Sequence, residues 1–377
     1  METKDGDEYL LTLGIAENFL TNADTANLSK FISLDDDAAE CLSKYKGDLN
    51  LDGLTCLSDA SAESLRKHDW DLKLNGLKSI SDATAESLSK HKWEVYLNGL
   101  TSLSEKAAEC LSNRTRGRLW LCGLTSLSPA VAEKLRTHAG SGLFFQALKS
   151  ISDVVAESLS KYKGSGLYFR GLTRISDHAI DSLSKHDGGI SLGLTSITDG
   201  AAERLSEHKG RLWLNNLKTC SDAAAESLSR HEGWLQLNGL TSISDKAAES
   251  LSNHRGMLLL NGLRCLSDIG AERLRKQKGI LELNGLVTLS DAAVDSLSKH
   301  SGALVLNGLT SLTEDAAKSL GTHKGVLELN GLTTLSDAAA QNLSKHVGAL
   351  EITNLASLSA AAEKSLNGNA EISFIRP

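Results

Sequence analysis

Histidine is the residue type of this sequence that most invites a chemical interpretation, because it could act as a base or as a metal ligand. Ten of the eleven histidines occupy one position of a repeated pattern, and His178 alone lies outside it. One histidine per repeat gives too few ligands for a tetrahedral metal site. We therefore interpret this column as structural, with each imidazole at the negative end of a short helix dipole, and predict no metal site.

Cys122 is the cysteine best placed for nucleophilic chemistry, since it lies beside Trp120 on a predicted strand with Gln146 and Arg170 on the strands that follow. A thiol nucleophile needs a neighbouring base, and no histidine falls on a predicted strand. The central strands also lack paired carboxylates, and the sequence has no glycine-rich phosphate loop and no CxxC pair. We predict that the chain is not an enzyme, has no catalytic residues and needs no cofactor.

These residues recur because the chain is built from one pattern with a period of 22 to 24 residues, which runs from about Asp48 to the C-terminus. Residues 237–256 (LNGLTSISDKAAESLSNHRG) are a clean copy of most of it. Apolar residues at positions 1 and 3 predict a short strand with one buried face. Asn-Gly then predicts a turn, and Ser-Asp before an alanine-rich segment predicts a capped helix. Each repeat is thus predicted to be strand, turn, short helix and turn.

The pattern LxLxxLxxLSDxAAExL resembles the leucine-rich repeat, in a short bacterial variant with 22–24-residue repeats. The resemblance covers about nine tenths of the chain. It implies an α/β solenoid shaped as a curved right-handed horseshoe or arc, with a parallel β-sheet on the concave face and short α-helices on the convex face. The family consists mostly of binding scaffolds without a common chemistry, so the resemblance implies no catalytic residue.

The chain is predicted to contain an N-terminal capping segment, residues 1–30, and a leucine-rich-repeat domain, residues 31–377, with about 14–15 repeats of which the last is truncated. Leu10, Leu13, Phe19 and Leu20 have roughly helical spacing and are expected to cover the core of the first repeat. Residues 371–375 begin a further strand without a capping helix. End-to-end self-association through that uncapped strand is one way to cover it, and a following domain is another.

Charge and hydropathy indicate which classes of partner and which cellular compartment are expected. The net charge is −7 with both signs interspersed, which disfavours nucleic acid because such binding relies on clustered basic groups. No run of 18 apolar residues occurs, so no membrane span is predicted. The acidic N-terminus has no apolar signal core, and no two cysteines share a register in adjacent repeats. A cytoplasmic protein with reduced thiols is expected.

Position 2 of each strand points away from the core, and there the repeats differ most. Four consecutive repeats carry an aromatic residue at this position, and a fifth follows after one interruption. All five side chains are expected to be exposed to solvent on the concave face. Aromatic residues and arginine dominate binding hot spots. The predicted partner-binding residues are Tyr96, Arg118, Trp120, Phe144, Tyr168, Arg170, Arg211, Trp213 and Trp234. The competing interpretation is that these rings are good strand formers that stack on one another across the sheet.

We therefore predict a non-catalytic scaffold that binds a protein or peptide through this concave aromatic and arginine stripe. A carbohydrate-binding module and a structural or self-assembly module of a larger protein remain open alternatives. The extra residues of the longer repeats, near Thr115, Ser141 and Ser165, and the shortening near Gly193 are expected to change the curvature.

Three further columns are predicted to be structural. Ser290, Asp291 and their equivalents should cap helix N-termini. The repeated asparagine should hydrogen-bond one turn to the next. Trp70 and Trp93, which replace the glycine of neighbouring repeats, should pack together on a rim.

Overall fold

The computed structural model describes residues 9–114 and 117–374, so the insertion near Thr115 lies outside the described residues. The chain divides into two compact units, Met1–Leu192 and Gly193–Pro377. The division falls at the shortened repeat. The sequence predicts no boundary inside residues 31–377. Because both units are built from the same repeat, a single repeat domain there stays a prediction.

The first unit begins with a strand and a helix of its own. Strand β1 pairs in parallel with β2, and helix α1 carries Ala16 and Phe19 into the core. Of the four residues expected to cover the core, Phe19 is buried and Leu20 half-buried, whereas Leu13 is 38% exposed and Leu10 lies on β1 instead of on the helix, so the predicted helical face is wrong for these two. The Phe19 ring lies 4.8 Å from that of Tyr45 in the first full repeat. The elements of this segment are β1 (Leu10–Leu11), α1 (Leu13–Thr21), the 3-10 turns Ala23–Thr25 and Leu28–Lys30, β2 (Ser33–Leu34) and α2 (Asp36–Leu42).

The rest of the first unit alternates strands and helices, and its strands form one parallel sheet. Its strands are β3 (Leu49–Asn50), β4 (Leu72–Lys73), β5 (Val95–Tyr96), β6 (Arg118–Trp120), β7 (Gly142–Phe144), β8 (Gly166–Phe169) and β9 (Gly189–Leu192). Its helices are α3 (Asp59–Leu65), α4 (Asp82–Ser89), α5 (Glu105–Ser112), α6 (Pro129–Leu135), α7 (Asp153–Ser160) and α8 (Asp177–Ser184).

The second unit repeats this arrangement, again with parallel pairing throughout its sheet. Its strands are β10 (Leu212–Trp213), β11 (Leu235–Gln236), β12 (Leu258–Leu259), β13 (Leu281–Glu282), β14 (Leu304–Val305), β15 (Leu327–Glu328), β16 (Leu350–Ile352) and β17 (Ile372–Phe374). Its helices are α9 (Asp199–Ser206), α10 (Asp222–Ser229), α11 (Asp245–Leu251), α12 (Asp268–Leu274), α13 (Asp291–Ser298), α14 (Glu314–Leu320), α15 (Asp337–Leu343) and α16 (Ala360–Asn367).

The core of each unit lies between its sheet and its helices. In one repeat of the second unit, strand residues Leu235 and Leu237, turn residue Leu240 and helix residues Ala248 and Leu251 are all fully buried. Strand side chains alternate between the two faces, so position 2 points to the side of the sheet away from the helices, here termed the open face. Among the described residues no helix is long and apolar enough to cross a membrane.

The helix caps also tie each repeat to the one before it. Ser290 caps α13, because its hydroxyl accepts a hydrogen bond from the Ala293 amide at 3.0 Å. The same hydroxyl donates to the carboxylate of Asp268, the first residue of the preceding helix. Asp291 has the corresponding role toward Thr313, whose hydroxyl donates to it at 2.5 Å. The predicted cap is confirmed for Ser290, whereas Asp291 does not cap its own helix and instead accepts from the next repeat.

Replacing Ser290 by Ala is expected to lower the free energy of unfolding by about 1 to 2 kcal/mol, since it removes an N-cap. Asp291→Ala leaves that cap in place and removes only the bond from Thr313, so a smaller loss is expected. Urea denaturation of both variants measures the difference. Equal losses for the two variants would contradict the division of roles.

The asparagine column forms the predicted link between turns. The Asn284 amide nitrogen donates to Oδ1 of Asn261 at 3.0 Å, and the Asn307 amide nitrogen donates to Oδ1 of Asn284 at 2.9 Å. The same bond joins Asn75 to Asn98 in the first unit at 3.1 Å. Each side chain thus accepts the hydrogen of the next turn, so that a buried amide is not left unsatisfied.

Candidate functional site

Four aromatic rings on the open face of the first unit form one continuous stack. The centroids of Tyr96 and Trp120 are 5.6 Å apart, those of Trp120 and Phe144 are 4.1 Å apart, and those of Phe144 and Tyr168 are 4.1 Å apart. The last two rings are almost parallel, at 5°. The strands bring position 2 of adjacent repeats into register, so that Trp120 pairs with Phe144 and Phe144 with Tyr168. We name these four residues the aromatic stack.

Two glycines make room for the stack, and the sequence analysis did not single them out. A β-carbon on Gly142 would lie 3.0 Å from the Phe144 ring, and one on Gly166 would lie 3.0 Å from the Tyr168 ring. Both glycines precede their aromatic residue by two positions and therefore share its face of the strand. The rings lie back over these glycines. The G-L-aromatic sequence shared by β7 and β8 is the signal that could have revealed this arrangement.

Stacking determines which part of each ring a partner could reach. Trp120 and Phe144 each have a ring on both sides, so their flat faces are covered. Phe144 is only 8% exposed, and the expectation that it would be solvent-exposed is wrong because its neighbours enclose it. Tyr96, Trp120 and Tyr168 are partly exposed. The stack therefore presents mainly ring edges, which carry the positive part of the aromatic quadrupole.

The arginines predicted beside the stack differ in position. Arg118 lies on β6, two residues before Trp120, and its guanidinium carbon lies 5.9 Å from the Trp120 ring centroid. Arg170 follows the end of β8 instead of lying on it. Both side chains are exposed. On the other side of Arg118, the Glu94 carboxylate accepts a hydrogen bond from the Arg118 amide nitrogen at 3.2 Å.

The asparagine column changes beside the stack. The hydrogen bonds that link one turn to the next run from Asp52 to Asn75 and from Asn75 to Asn98. The series ends at Asn98, whose Oδ1 is buried without a hydrogen-bond partner. The next repeat has Cys122 at this position. Burial raises the pKa of the Cys122 thiol to about 11, so the thiol is protonated near neutral pH. Because the thiolate is the reactive form, this environment does not activate Cys122 as a nucleophile.

The remaining predicted site residues lie on the second unit. The guanidinium of Arg211 lies 4.0 Å from the ring centroid of Trp234, a cation–π contact. Both residues precede their strands, and Trp213 lies on β10 at position 2. Trp234 is 39% exposed. The structure thus brings four predicted aromatics together in the first unit, and one arginine–tryptophan pair in the second.

Trp70 and Trp93 pack together as predicted. Their ring centroids are 6.3 Å apart with an interplanar angle of 12°, and the residues are 46% and 52% exposed. They replace the glycine in the turn before the strand, so they stand apart from the aromatic stack. They supply exposed tryptophans that can serve as controls for the stack.

The histidine column is structural, but its hydrogen bonds reach the preceding repeat. His300 is buried, and its Nε2 lies 3.0 Å from the Gly279 carbonyl oxygen. His68 makes the same contact to Gly47 at 2.9 Å. Within residues 9–114 and 117–374, no group of three histidine, cysteine or acidic side chains is arranged to hold a metal ion.

Other residue types take the histidine position where the repeat deviates. The Tyr162 hydroxyl donates to the Gly140 carbonyl at 2.7 Å, and Gln277 Nε2 donates to the Gly256 carbonyl at 2.7 Å. Arg114 donates to the carbonyls of Leu88, His91 and Trp93. Several hydrogen-bond donors therefore fit this position between repeats, and imidazole is the commonest residue there. His138, His231 and His254 occupy it with neither ring nitrogen hydrogen-bonded.

Comparison with known proteins identifies the fold. No protein-family model and no curated protein matches the sequence. Among solved structures, the chain is similar to the TLR13–ssRNA13 complex, with a TM-score of 0.50 and 14% identity over 93% of this chain and 55% of that one. It is also similar to a Leptospira interrogans LRR protein, with a TM-score of 0.44 and 16% identity over 95% and 93% of the two chains. An internalin from Listeria monocytogenes gives a TM-score of 0.40 and 16% identity over 98% and 96%.

The chain spans little more than half the length of the first of these structures. At such identities the similarity concerns the fold. The similarity to the first structure, together with the strand–helix repeat and the parallel sheet of each unit, shows the leucine-rich-repeat fold that the sequence pattern predicted.

Proposed function

We propose that this chain is a non-catalytic binding scaffold that takes a protein or peptide partner on the open face of its first unit, through the aromatic stack together with Arg118 and Arg170. The observation that carries the proposal is the stack itself. Four rings occupy the outward position of four consecutive strands, and three of them remain partly exposed. Exposed aromatic surface of this kind is typical of interaction sites.

The geometry favours a partner with acidic and aromatic side chains. Ring edges attract the negative face of another aromatic ring and the oxygens of a carboxylate. Exposed guanidinium groups at Arg118 and Arg170 add positive charge and bind carboxylates in a bidentate manner. Burial raises the pKa of Tyr96, so its hydroxyl stays protonated and can donate a hydrogen bond. An acidic peptide with aromatic anchors fits all of these groups.

Carbohydrate and single-stranded RNA are the alternatives to a peptide. TLR13 was solved in complex with ssRNA, and aromatic residues with arginine are the usual components of single-strand binding surfaces. Nucleobases and sugar rings, however, stack on the flat face of an aromatic ring, and here the faces of Trp120 and Phe144 are covered by neighbouring rings. A peptide is therefore favoured, and the absence of a nucleic-acid partner stays a prediction.

Selection of peptides from a random display library on the intact chain is expected to enrich sequences with acidic and aromatic residues. Trp120→Ala should weaken the binding of a selected peptide by about 2 kcal/mol or more, and the double variant Arg118→Glu, Arg170→Glu should weaken it at least as much. Fluorescence anisotropy with the labelled peptide measures both. Trp70→Ala removes an exposed tryptophan outside the stack, and Glu328→Ala changes the other unit, so both should bind as wild type.

Three results would count against the proposal. Selected peptides could bind the Trp120 and arginine variants as tightly as wild type. A glycan array or a single-stranded RNA oligonucleotide could give tighter, stack-dependent binding than any peptide. A mass in solution that rises with concentration, and falls when the stack is mutated, would support the self-assembly alternative.

A further inference from the structure

The second unit carries a different surface on its open face, made of two parallel rows of side chains. One row lies at the residue before each strand and is apolar in every repeat from β11 to β16. The other row lies at position 2 and contains glutamates. The apolar row consists of Trp234, Met257, Ile280, Ala303, Val326 and Ala349. The second row, here termed the carboxylate row, consists of Gln236, Leu259, Glu282, Val305, Glu328 and Glu351; Leu259 and Val305 are buried, so its glutamates form the accessible part together with Gln236.

Backbone hydrogen bonds fix both rows in register with the sheet. The Leu235 amide donates to the Met257 carbonyl and the Leu237 amide to the Leu259 carbonyl, both at 2.9 Å. The same pair of bonds recurs in the following repeats. In each repeat the two residues are two positions apart in an extended segment, with a buried leucine between them, so they share the face opposite to the buried leucines. Trp234 and Val326 are exposed, at 39% and 42%.

The carboxylates of the second row are held in place. Glu282 accepts a hydrogen bond from Asn261 Nδ2 at 2.9 Å, and Glu328 accepts one from Asn307 Nδ2 at 2.9 Å. In the part of the chain that the structure describes, no basic side chain forms an ion pair with either glutamate. These two negative charges are thus oriented by neutral amides and are left without a cation. Among the described residues, one cation contacts the apolar row: the Arg211 guanidinium lies over the Trp234 ring at one end of the row.

We propose that these two rows form a second binding surface, whose partner is an amphipathic helix with an apolar stripe and a basic flank. The spacing supports a helix that crosses the strands. Glu282 and Glu328 are two strands apart, about 9.6 Å, and residues seven apart on a helix are separated by about 10.5 Å. Apolar residues on one face of the partner helix would recur once per turn, about every 5.4 Å. This spacing is close to the separation of about 4.8 Å between neighbouring side chains of the apolar row.

The charge of this surface separates it from the aromatic stack. The stack is flanked by two arginines and favours acidic groups, whereas the carboxylate row favours lysine and arginine and repels phosphates. The inference therefore does not rest on the function proposed for the first unit, and the two surfaces can be tested separately with one protein.

The test uses the intact chain and three synthetic 18-residue peptides of defined pattern. The first has leucines at helical spacing with lysines seven residues apart on one flank. The second has glutamates in place of those lysines. The third has the composition of the first but alternates apolar and basic residues, as an extended strand would. Anisotropy of labelled peptides gives each Kd at low salt and at high salt.

The first peptide is expected to bind at least tenfold more tightly than the other two, with an affinity that falls as salt rises. Glu282→Gln with Glu328→Gln should weaken it about tenfold or more. Glu226→Gln with Glu272→Gln is the matched control, because it removes the same two charges from exposed helix positions of the same unit, and it should change the Kd less than twofold. The double variant Arg118→Glu, Arg170→Glu should leave this binding intact.

If both double glutamine variants weaken binding equally, the effect arises from net charge alone, and the proposed site is wrong. Tighter binding of the alternating peptide would overturn the helical partner. Failure of the lysine peptide to bind at low salt would overturn the proposal outright, and none of these results bears on the aromatic stack.

Discussion

Lowering the pH from 7.5 to about 4.5 is expected to unfold this protein, and the histidine column is the cause. Burial lowers the pKa of His91 and of His231 from 6.5 to about 4. Burial also lowers the pKa of five further members of the column, His68, His138, His254, His300 and His346. The folded protein therefore keeps these imidazoles neutral at a pH where the unfolded chain protonates them.

The direction follows from proton binding. A histidine with a depressed folded-state pKa stabilises the fold fully above pH 6.5, and this contribution is lost as the pH falls toward 4. A displacement from 6.5 to about 4 corresponds to about 3 kcal/mol per histidine. Two such residues already account for much of the 5 to 15 kcal/mol that is usual for a folded protein. Hydrogen bonds lower the pKa of several carboxylates, among them Glu63 and Glu86, so their contribution is lost in the same direction as the pH falls, mainly toward the lower end of this window and below it.

Urea denaturation followed by circular dichroism between pH 7.5 and pH 4.5 measures the effect. His91→Gln is the informative variant, because Gln277 shows that glutamine donates to the same kind of carbonyl, at 2.7 Å, without a titrating group. Relative to wild type, this variant should gain about 2 kcal/mol in the free energy of unfolding on going from pH 7.5 to pH 5. A midpoint in urea that is the same at both pH values for wild type would show that the column does not control acid stability.

Arg114→Ala is expected to lower the free energy of unfolding by about 2 to 6 kcal/mol. The Arg114 side chain is buried, and its guanidinium donates to the Leu88 carbonyl at 2.8 Å, the His91 carbonyl at 3.1 Å and the Trp93 carbonyl at 2.5 Å. The Leu88 carbonyl keeps the His91 amide as a donor at 3.2 Å, so the substitution leaves two carbonyls without one. Each buried acceptor left without a donor costs about 1 to 3 kcal/mol. Burial lowers the pKa of Arg114, yet a guanidinium remains charged in proteins.

Arg114→His supplies the matched comparison, since it restores the residue that most repeats have at this position. It should recover part of the loss, because one imidazole can donate to one of the three carbonyls. Thermal and urea denaturation of both variants give the comparison. If the alanine and histidine variants match wild type, the three hydrogen bonds do not contribute to stability.

The elements of this fold could be predicted from the sequence because each depends on a local pattern. Leu235 and Leu237 show the alternation of a strand, and Ser290 stands where an N-cap is required. Parallel pairing followed from the repetition, since equivalent strands joined by a helix must run in the same direction. The asparagine links followed for a similar reason, because a polar residue beside a buried turn needs a partner.

Contacts between repeats were harder to predict, because they depend on distances that periodicity does not provide. The sequence suggests that Asp291 caps its own helix. Its carboxylate instead accepts a hydrogen bond from the hydroxyl of Thr313, 22 residues further along the chain. Phe144 was expected to face solvent, and only the 4.1 Å separation of the rings shows that it is enclosed. The glycines beneath the rings act by lacking a side chain, which a search for functional residues does not detect.

The hydrogen bonds between repeats have one further consequence, for how such a chain can lengthen. His300 reaches back 21 residues, Ser290 reaches back 22 and Asn284 reaches back 23, so every bond ends in the adjacent copy. A tandem duplication of one repeat in the gene would therefore deliver a segment that already carries donors for the copy before it and acceptors for the copy after it. Growth or loss of whole repeats then requires no compensating substitution, while a duplication of any other length would displace all three bonds at once.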